Sequence, residues 1–187
     1  HFLGQNFAKA FEMFRKKSAN FLFYIGGNDT SEAASLINKA AKAAKYELRT
    51  FHVPKTIDND LVQNDHTPGY GSAARYVAHA FLGDDLDSQS LPGLKVNVVM
   101  GRNASWLTAA SALARAEKGD APHLIYFCEN PVTVEQLAQD SVALYKKMKR
   151  GVIAISEGIL GPDGAEFVNS PAIWKELSQP PYESVLM

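Results

Sequence analysis

Leu48-Arg49-Thr50-Phe51-His52-Val53-Pro54-Lys55-Thr56-Ile57-Asp58-Asn59-Asp60 is an apolar segment that runs into a proline and then into a charged cluster. Residues 47–53 read as a strand, and Pro54 begins the loop that follows. Two carboxylates, Asp58 and Asp60, sit two positions apart, with Lys55 three residues before the first. In an alternating α/β chain such a strand end is where a ligand docks. A carboxylate there can remove a hydroxyl proton, and a nearby cation can hold a phosphate. The combination points to phosphoryl transfer to an alcohol.

The flanking sequence alternates between helical and extended patterns. Residues 2–18 place Phe7, Ala10, Phe11 and Phe14 on one side of an expected helix. Residues 21–25 are a short apolar run ending at Gly26-Gly27, read as a buried strand. In 31–45 the stripe Ala33, Leu36, Ile37, Ala40, Ala44 marks a helix, with Thr30 or Ser31 able to cap it. A polar loop over 54–68 leads to an expected helix over 71–81. Residues 83–93 are rich in Asp, Ser, Gly and Pro and read as a loop and the best candidate for a lobe boundary. Strands are expected at 95–100, 123–127 and 151–156. A helix over 104–117 separates the first two. A second opens at Thr133-Val134-Glu135-Gln136, which has capping-box spacing, and runs to about 149. The class is α/β with a largely parallel sheet.

Composition narrows the function. A chain of 187 residues suffices for one good core or two small lobes. A net charge of -1 gives no basic balance for nucleic acid or an anionic membrane. The single cysteine, Cys128, excludes an internal disulfide and a multi-cysteine metal site, and fits a reducing cytoplasm. No apolar run approaches the roughly 20 residues of a membrane span. The chain starts at His1 and ends at Met187 without a helix stop or polar tail, so an internal section of a longer protein is expected.

Three further groups could carry chemistry. Gly26-Gly27-Asn28-Asp29-Thr30 joins a strand to a helix, where backbone N–H groups can meet a phosphate. Asp29 would repel that phosphate unless Mg²⁺ lay between them. The same residues also make an ordinary tight turn with Asp29 or Thr30 as helix cap. Met100-Gly101-Arg102 ends a strand, and its arginine could hold a phosphate through two hydrogen bonds or pair with a surface carboxylate. Ser156-Glu157-Gly158 follows another strand, where Glu157 could accept from sugar hydroxyls or be a loop carboxylate. With the heptapeptide 54–60, four groups fall at four expected strand ends; in one parallel sheet those ends share an edge, whereas two lobes would separate them. His52, His66, His79 and His123 have no metal-ligand spacing and read as structural or solvated. Cys128 reads as a small strand-end residue rather than a nucleophile, and Trp106 and Trp174 as packing residues.

These four motifs, from about residue 21 to about residue 164, resemble in order and spacing those of the phosphofructokinase family. Pro54-Lys55-Thr56-Ile57-Asp58-Asn59-Asp60 looks like its catalytic signature, Met100-Gly101-Arg102 and Glu157-Gly158 like its sugar-phosphate elements, and Gly26-Gly27-Asn28-Asp29-Thr30 like its donor and metal loop. The resemblance implies Rossmann-like parallel sheets with flanking helices, forming parts of two lobes. Residues 1–88 would belong to the donor lobe with the catalytic loop, and 89–187 to the fructose 6-phosphate lobe. It also implies transfer of a phosphoryl group to the 1-hydroxyl of fructose 6-phosphate in glycolysis. Asp58 would be the base and Lys55 its catalytic cation. Thr56, Ile57, Asp58, Asp60, Met100, Gly101, Arg102 and Glu157 would hold substrate. Gly26, Gly27, Asp29, Thr30 and Lys55 would bind the donor, and Asp29 with Asn28 the Mg²⁺. Asn28 departs from the aspartate many relatives carry. A homo-oligomer in the cytoplasm is implied, with no nucleic acid or membrane partner.

The resemblance also bears on the donor. ATP-using members typically carry glycine at the positions of Asp29 and Lys55, whereas pyrophosphate-using members resemble this chain at both. A side chain at 29 would occupy room needed by a nucleoside, and Lys55 could grip the smaller, more charged pyrophosphate. Pyrophosphate is the expected donor. An ATP-dependent 6-phosphofructokinase is the alternative within enzymes, and a non-catalytic regulatory subunit is the alternative outside them. The glycine-rich loop and the C-terminal basic residues of the family are not in this chain, so the isolated chain is expected to be inactive.

Overall fold

The computed structural model describes residues 2–162 and 164, with side chains from Phe7 onward. Trp174 lies outside the described residues. The chain divides into two compact units, His1–Thr56 with Leu61–Pro68, and Ile57–Asp60 with Gly69–Met187. The division runs through the charged heptapeptide, between Thr56 and Ile57.

The first unit holds α1 (Phe2–Lys16), β1 (Phe21–Gly26), α2 (Asn28–Ala43) and β2 (Arg49–Pro54). The two strands are parallel, with Phe23 opposite Phe51 and Ile25 opposite Val53. Phe11, Ala41 and Leu48 form its core, joined by Phe7, Phe14, Leu22 and Ile37. The expectation of a buried β1 is corrected. Phe21, Phe23 and Ile25 are exposed, as are Phe51 and Val53 beside them. Side chains alternate across a strand, and the helical packing engages the face that carries Leu22.

The second unit holds α3 (Tyr70–Ser90), β3 (Gly93–Val99), α4 (Trp106–Ala110), a 3-10 turn (Ser111–Ala114), β4 (Leu124–Tyr126), α5 (Val134–Met148) and β5 (Arg150–Ser156). Its sheet is parallel throughout, in the order β3-β5-β4. β5 is central and buried from Gly151 to Ser156, which explains an apolar run without polar alternation. Phe81, Val99, Leu107, Val152 and Ala154 build the main core. Thr133 caps α5, its hydroxyl accepting from Gln136 N at 3.1 Å. The helix expected over 104–117 is shorter, and Trp106, expected to pack, is 53% exposed. No helix among the described residues is long and apolar enough to cross a membrane.

The loop expected over 83–93 is corrected as well: α3 continues through it to Ser90. Phe81 is buried in the core, and Asp85 is buried against Arg150 Nη1 at 2.7 Å and Gln89 Nε2 at 3.1 Å. α3, placed by sequence at the end of the first part, thus packs with the second unit. Burial pushes the Asp85 carboxyl up, but the hydrogen bonds and charge of Arg150 and the Gln89 amide outweigh it and hold the group below its ordinary value. A depressed carboxylate contributes stability above its unfolded value, and that contribution is lost as pH falls through the folded one. Asp85→Ala is expected to destabilise the second unit by about 3–5 kcal/mol, because Arg150 is left without its buried partner. Urea unfolding at neutral pH checks this, and the gap from wild type should narrow in acid; a gap that does not change with pH contradicts it.

His123 is structural. Its Nδ1 accepts from Val152 N at 3.0 Å, and burial, helped by the Arg150 charge, pushes its pKa down.

Candidate functional site

At the end of the β1–β2 sheet the chain is drawn tight. Gly26 O accepts from Lys55 N at 2.8 Å and from His52 Nε2 at 2.9 Å. A Cβ on Gly26 would stand 2.1 Å from Thr30 Oγ1, so glycine lets the first turn of α2 close over the strand end. The expected cap at Thr30 or Ser31 is corrected: Gly27 is the N-cap, and Ser31 N donates to Gly27 O at 3.0 Å. Asn28, Asp29 and Thr30 therefore occupy the first helical turn, where backbone N–H groups and the positive end of the helix dipole suit an anion. Asp29 and Lys55 are exposed, while Thr56 is buried beside Gly27. Gly26, Gly27, Asn28, Asp29 and Thr30, expected from the sequence to form a donor and metal loop, are thus brought to one sheet end with Lys55 and Thr56.

The rest of the heptapeptide belongs to the second unit. Asn59 is buried with φ 57°, a left-handed conformation that asparagine tolerates, and it turns the chain between Asp58 and Asp60. Asp60 Oδ2 accepts from Asn103 Nδ2 at 3.2 Å. Ile57 and Met100 share the wall of a cavity of about 600 Å³ with Tyr76, Val77, Phe81 and Val99. That wall is mostly apolar, and its charged member is the carboxylate of Asp84, so the cavity itself does not suit a phosphate.

The ends of β3 and β5 are clamped together around Gly101. Glu157 N donates to Val99 O at 2.9 Å, Glu157 Oε1 accepts from Gly101 N at 3.2 Å, and the buried Ser156 hydroxyl donates to Gly101 O at 2.7 Å. Gly101 has φ 131°, and a Cβ there would stand 2.4 Å from Ala104 O. Gly158 is tighter still: its Cβ would stand 1.9 Å from Arg102 O and 2.6 Å from Arg102 Cα. The backbone of 101–102 therefore passes over Gly158, while the Arg102 side chain is exposed. Beyond it, Ser105 N donates to Glu129 Oε1 at 2.9 Å, and the Ser105 hydroxyl accepts from Cys128 N at 2.8 Å. Burial pushes the Cys128 thiol up, in keeping with a structural cysteine.

The four strand-end groups do not share one sheet edge, in line with the two-lobe alternative. Residues 26–30 and 54–56 lie at the end of the β1–β2 sheet, and 100–102 and 157–158 at the end of the β3-β5-β4 sheet. The local sequence assigns no role to Asn103 or Glu129, and none to Ser156 beyond its place in the strand-end motif. Each acts on a partner 24 to 55 residues away, which no local pattern reveals. Among the described residues no group of three or more His, Cys, Asp or Glu is gathered to hold a metal ion.

A family model described as Phosphofructokinase matches residues 2–180. The chain is 47% identical over 162 residues to a pyrophosphate–fructose 6-phosphate 1-phosphotransferase of Rhodospirillum rubrum, covering 87% of this chain and 40% of that protein. It is 37% identical over 171 residues to a protein of the same name from Halomonas elongata, covering 88% and 40%. The crystal structure of a pyrophosphate-dependent phosphofructokinase from Marinobacter aquaeolei matches with a TM-score of 0.67 at 32% identity, over 93% of this chain and 45% of that one. The chain spans about 40% of the length of these curated relatives.

Proposed function

The chain belongs to the phosphofructokinase family, and on that premise we propose that the whole protein transfers a phosphoryl group from pyrophosphate to the 1-hydroxyl of fructose 6-phosphate. The observation that carries the donor is the presence, at the same end of the β1–β2 sheet, of an exposed Asp29 in the first turn of α2 and an exposed Lys55 after β2. Asp29 fills space beside the helix N-terminus, which disfavours a bulky nucleoside. Lys55 supplies charge for a small polyanion.

Asp58 takes the proton of the 1-hydroxyl as that oxygen attacks a phosphorus of pyrophosphate. The phosphorus–oxygen bond to the leaving phosphate breaks, giving fructose 1,6-bisphosphate and orthophosphate. Arg102 holds the sugar phosphate through its guanidinium fork. Gly101 and Met100 shape that subsite. Glu157 supports it through Gly101 and offers its remaining carboxylate oxygen to a sugar hydroxyl. Thr56 and Ile57 line the approach to the base. On this reading the first unit serves the donor, and the second serves the sugar phosphate.

Mg²⁺ is the cation this reading calls for. The donor set fits it in part: the Asp29 carboxylate and the Asn28 amide oxygen are hard ligands on one helical turn, and Mg²⁺ takes one or two such groups with phosphate oxygens and water. When bound it would neutralise charge on the pyrophosphate. A homo-oligomer in the cytoplasm completes the proposal.

The test is a donor swap on the full-length protein. Pyrophosphate should support turnover, and ATP should support much less. Asp29→Gly combined with Lys55→Gly should lower kcat/KM for pyrophosphate by about 10²-fold or more, the scale of losing a charge aimed at the transferring group. Unchanged pyrophosphate kinetics would sink the donor assignment.

A further inference from the structure

We propose that Asn103 is a positioning residue for phosphoryl transfer, tying the loop that grips the sugar phosphate to the Asp60 carboxylate two residues from the base. The inference rests on the phosphofructokinase reading above. Asn103 directly follows Arg102, and its Nδ2 donates to Asp60 Oδ2 at 3.2 Å. Both ends of this link are held elsewhere. The 101–102 backbone is fixed by Gly158, Ser156 and Glu157. Asp60 follows the buried left-handed turn at Asn59. The hydrogen bond therefore joins two preset pieces of backbone 43 residues apart in sequence, and it fixes Arg102 and Asp58 with respect to each other.

The residue type suits the task. A lysine at 103 would cancel the Asp60 charge, and an aspartate would repel it. An amide donates one hydrogen bond and leaves the carboxylate charged. Misplacement on the ångström scale can cost a large factor in rate, so a modest bond can have a kinetic effect larger than its own strength.

The test uses the full-length protein. Asn103→Ala should lower kcat by about tenfold, the scale of one hydrogen bond to a charged group, with KM for pyrophosphate unchanged. In an Asp60→Ala background the same substitution should cost about twofold or less, because the partner is already gone. Asn103→Gln, which keeps the amide, should recover most of the lost rate. Equal losses in both backgrounds, or no loss from Asn103→Ala, overturn the proposal while leaving the family reading intact. A wild-type protein that does not use pyrophosphate and fructose 6-phosphate overturns that reading instead. The contact is then read on the full-length protein by nuclear magnetic resonance. The side-chain amide resonances of Asn103 should move on Asp60→Ala, and unmoved resonances overturn the link whatever the enzyme turns over.

Discussion

Asp58→Asn in the full-length protein is expected to lower kcat for fructose 6-phosphate phosphorylation by about 10²–10⁴-fold, the range of a general base removed from the transition state. The change is nearly isosteric, so substrate affinity should hold while turnover falls. Such a split marks an interaction realised in the transition state rather than in binding. The reverse reaction must suffer equally, because the group that accepts the proton in one direction returns it in the other. Steady-state kinetics in both directions check this. An unchanged kcat would remove Asp58 from the role of base.

Gly158→Ala is the second large effect: its steric part needs no assumption about chemistry, and its kinetic part rests on the proposed role of Arg102. The new Cβ would stand 1.9 Å from Arg102 O and 2.6 Å from Arg102 Cα. Those are backbone atoms, which cannot rotate aside as a side-chain tip can. Overpacking of this kind costs about 1–3 kcal/mol or more, and the loop at 101–102 is the part that must move. We expect KM for fructose 6-phosphate to rise by about 10–100-fold, since about 1.4 kcal/mol is tenfold in an equilibrium constant. Circular dichroism should stay near wild type. Gly83→Ala is the control. It lies inside α3 with no atom within 4 Å of the added Cβ, so it should stabilise by about 0.5–1 kcal/mol and leave KM alone. If the two alanine variants bind fructose 6-phosphate alike, the steric account of Gly158 fails.

The legible parts of this chain were those set by near neighbours. Thr133 announced α5 because its partner is the amide three residues on. The apolar run 151–156 announced β5 because both faces of a central parallel strand are covered. The ends of β1, β2, β3 and β5 fall within one residue of the expected positions, each close to a glycine or proline. Residues 83–93 were misread for the opposite reason. Their Gly and Asp content looks like a loop, but Asp85 is paid back by Arg150, 65 residues downstream. The candidate site divides the same way. The residue types were visible in the motifs. The grip of Glu157 on Gly101, the passage of Arg102 over Gly158 and the Asn103–Asp60 link were not, because each joins residues more than 40 apart.

The clamp on Gly101 also imposes a schedule on biosynthesis. Its donors and acceptors come from Ser156 and Glu157, 55 and 56 residues after the loop they hold. A ribosome adds about 5–20 residues per second, and contacts so distant in sequence form only after both partners are available. Until β5 has left the exit tunnel, Arg102 sits on a loop with no template for its backbone. A nascent chain truncated before Gly158 carries Arg102 without the shape that presents it, so on the proposed reading competence for the sugar phosphate arrives with β5, not with the arginine itself.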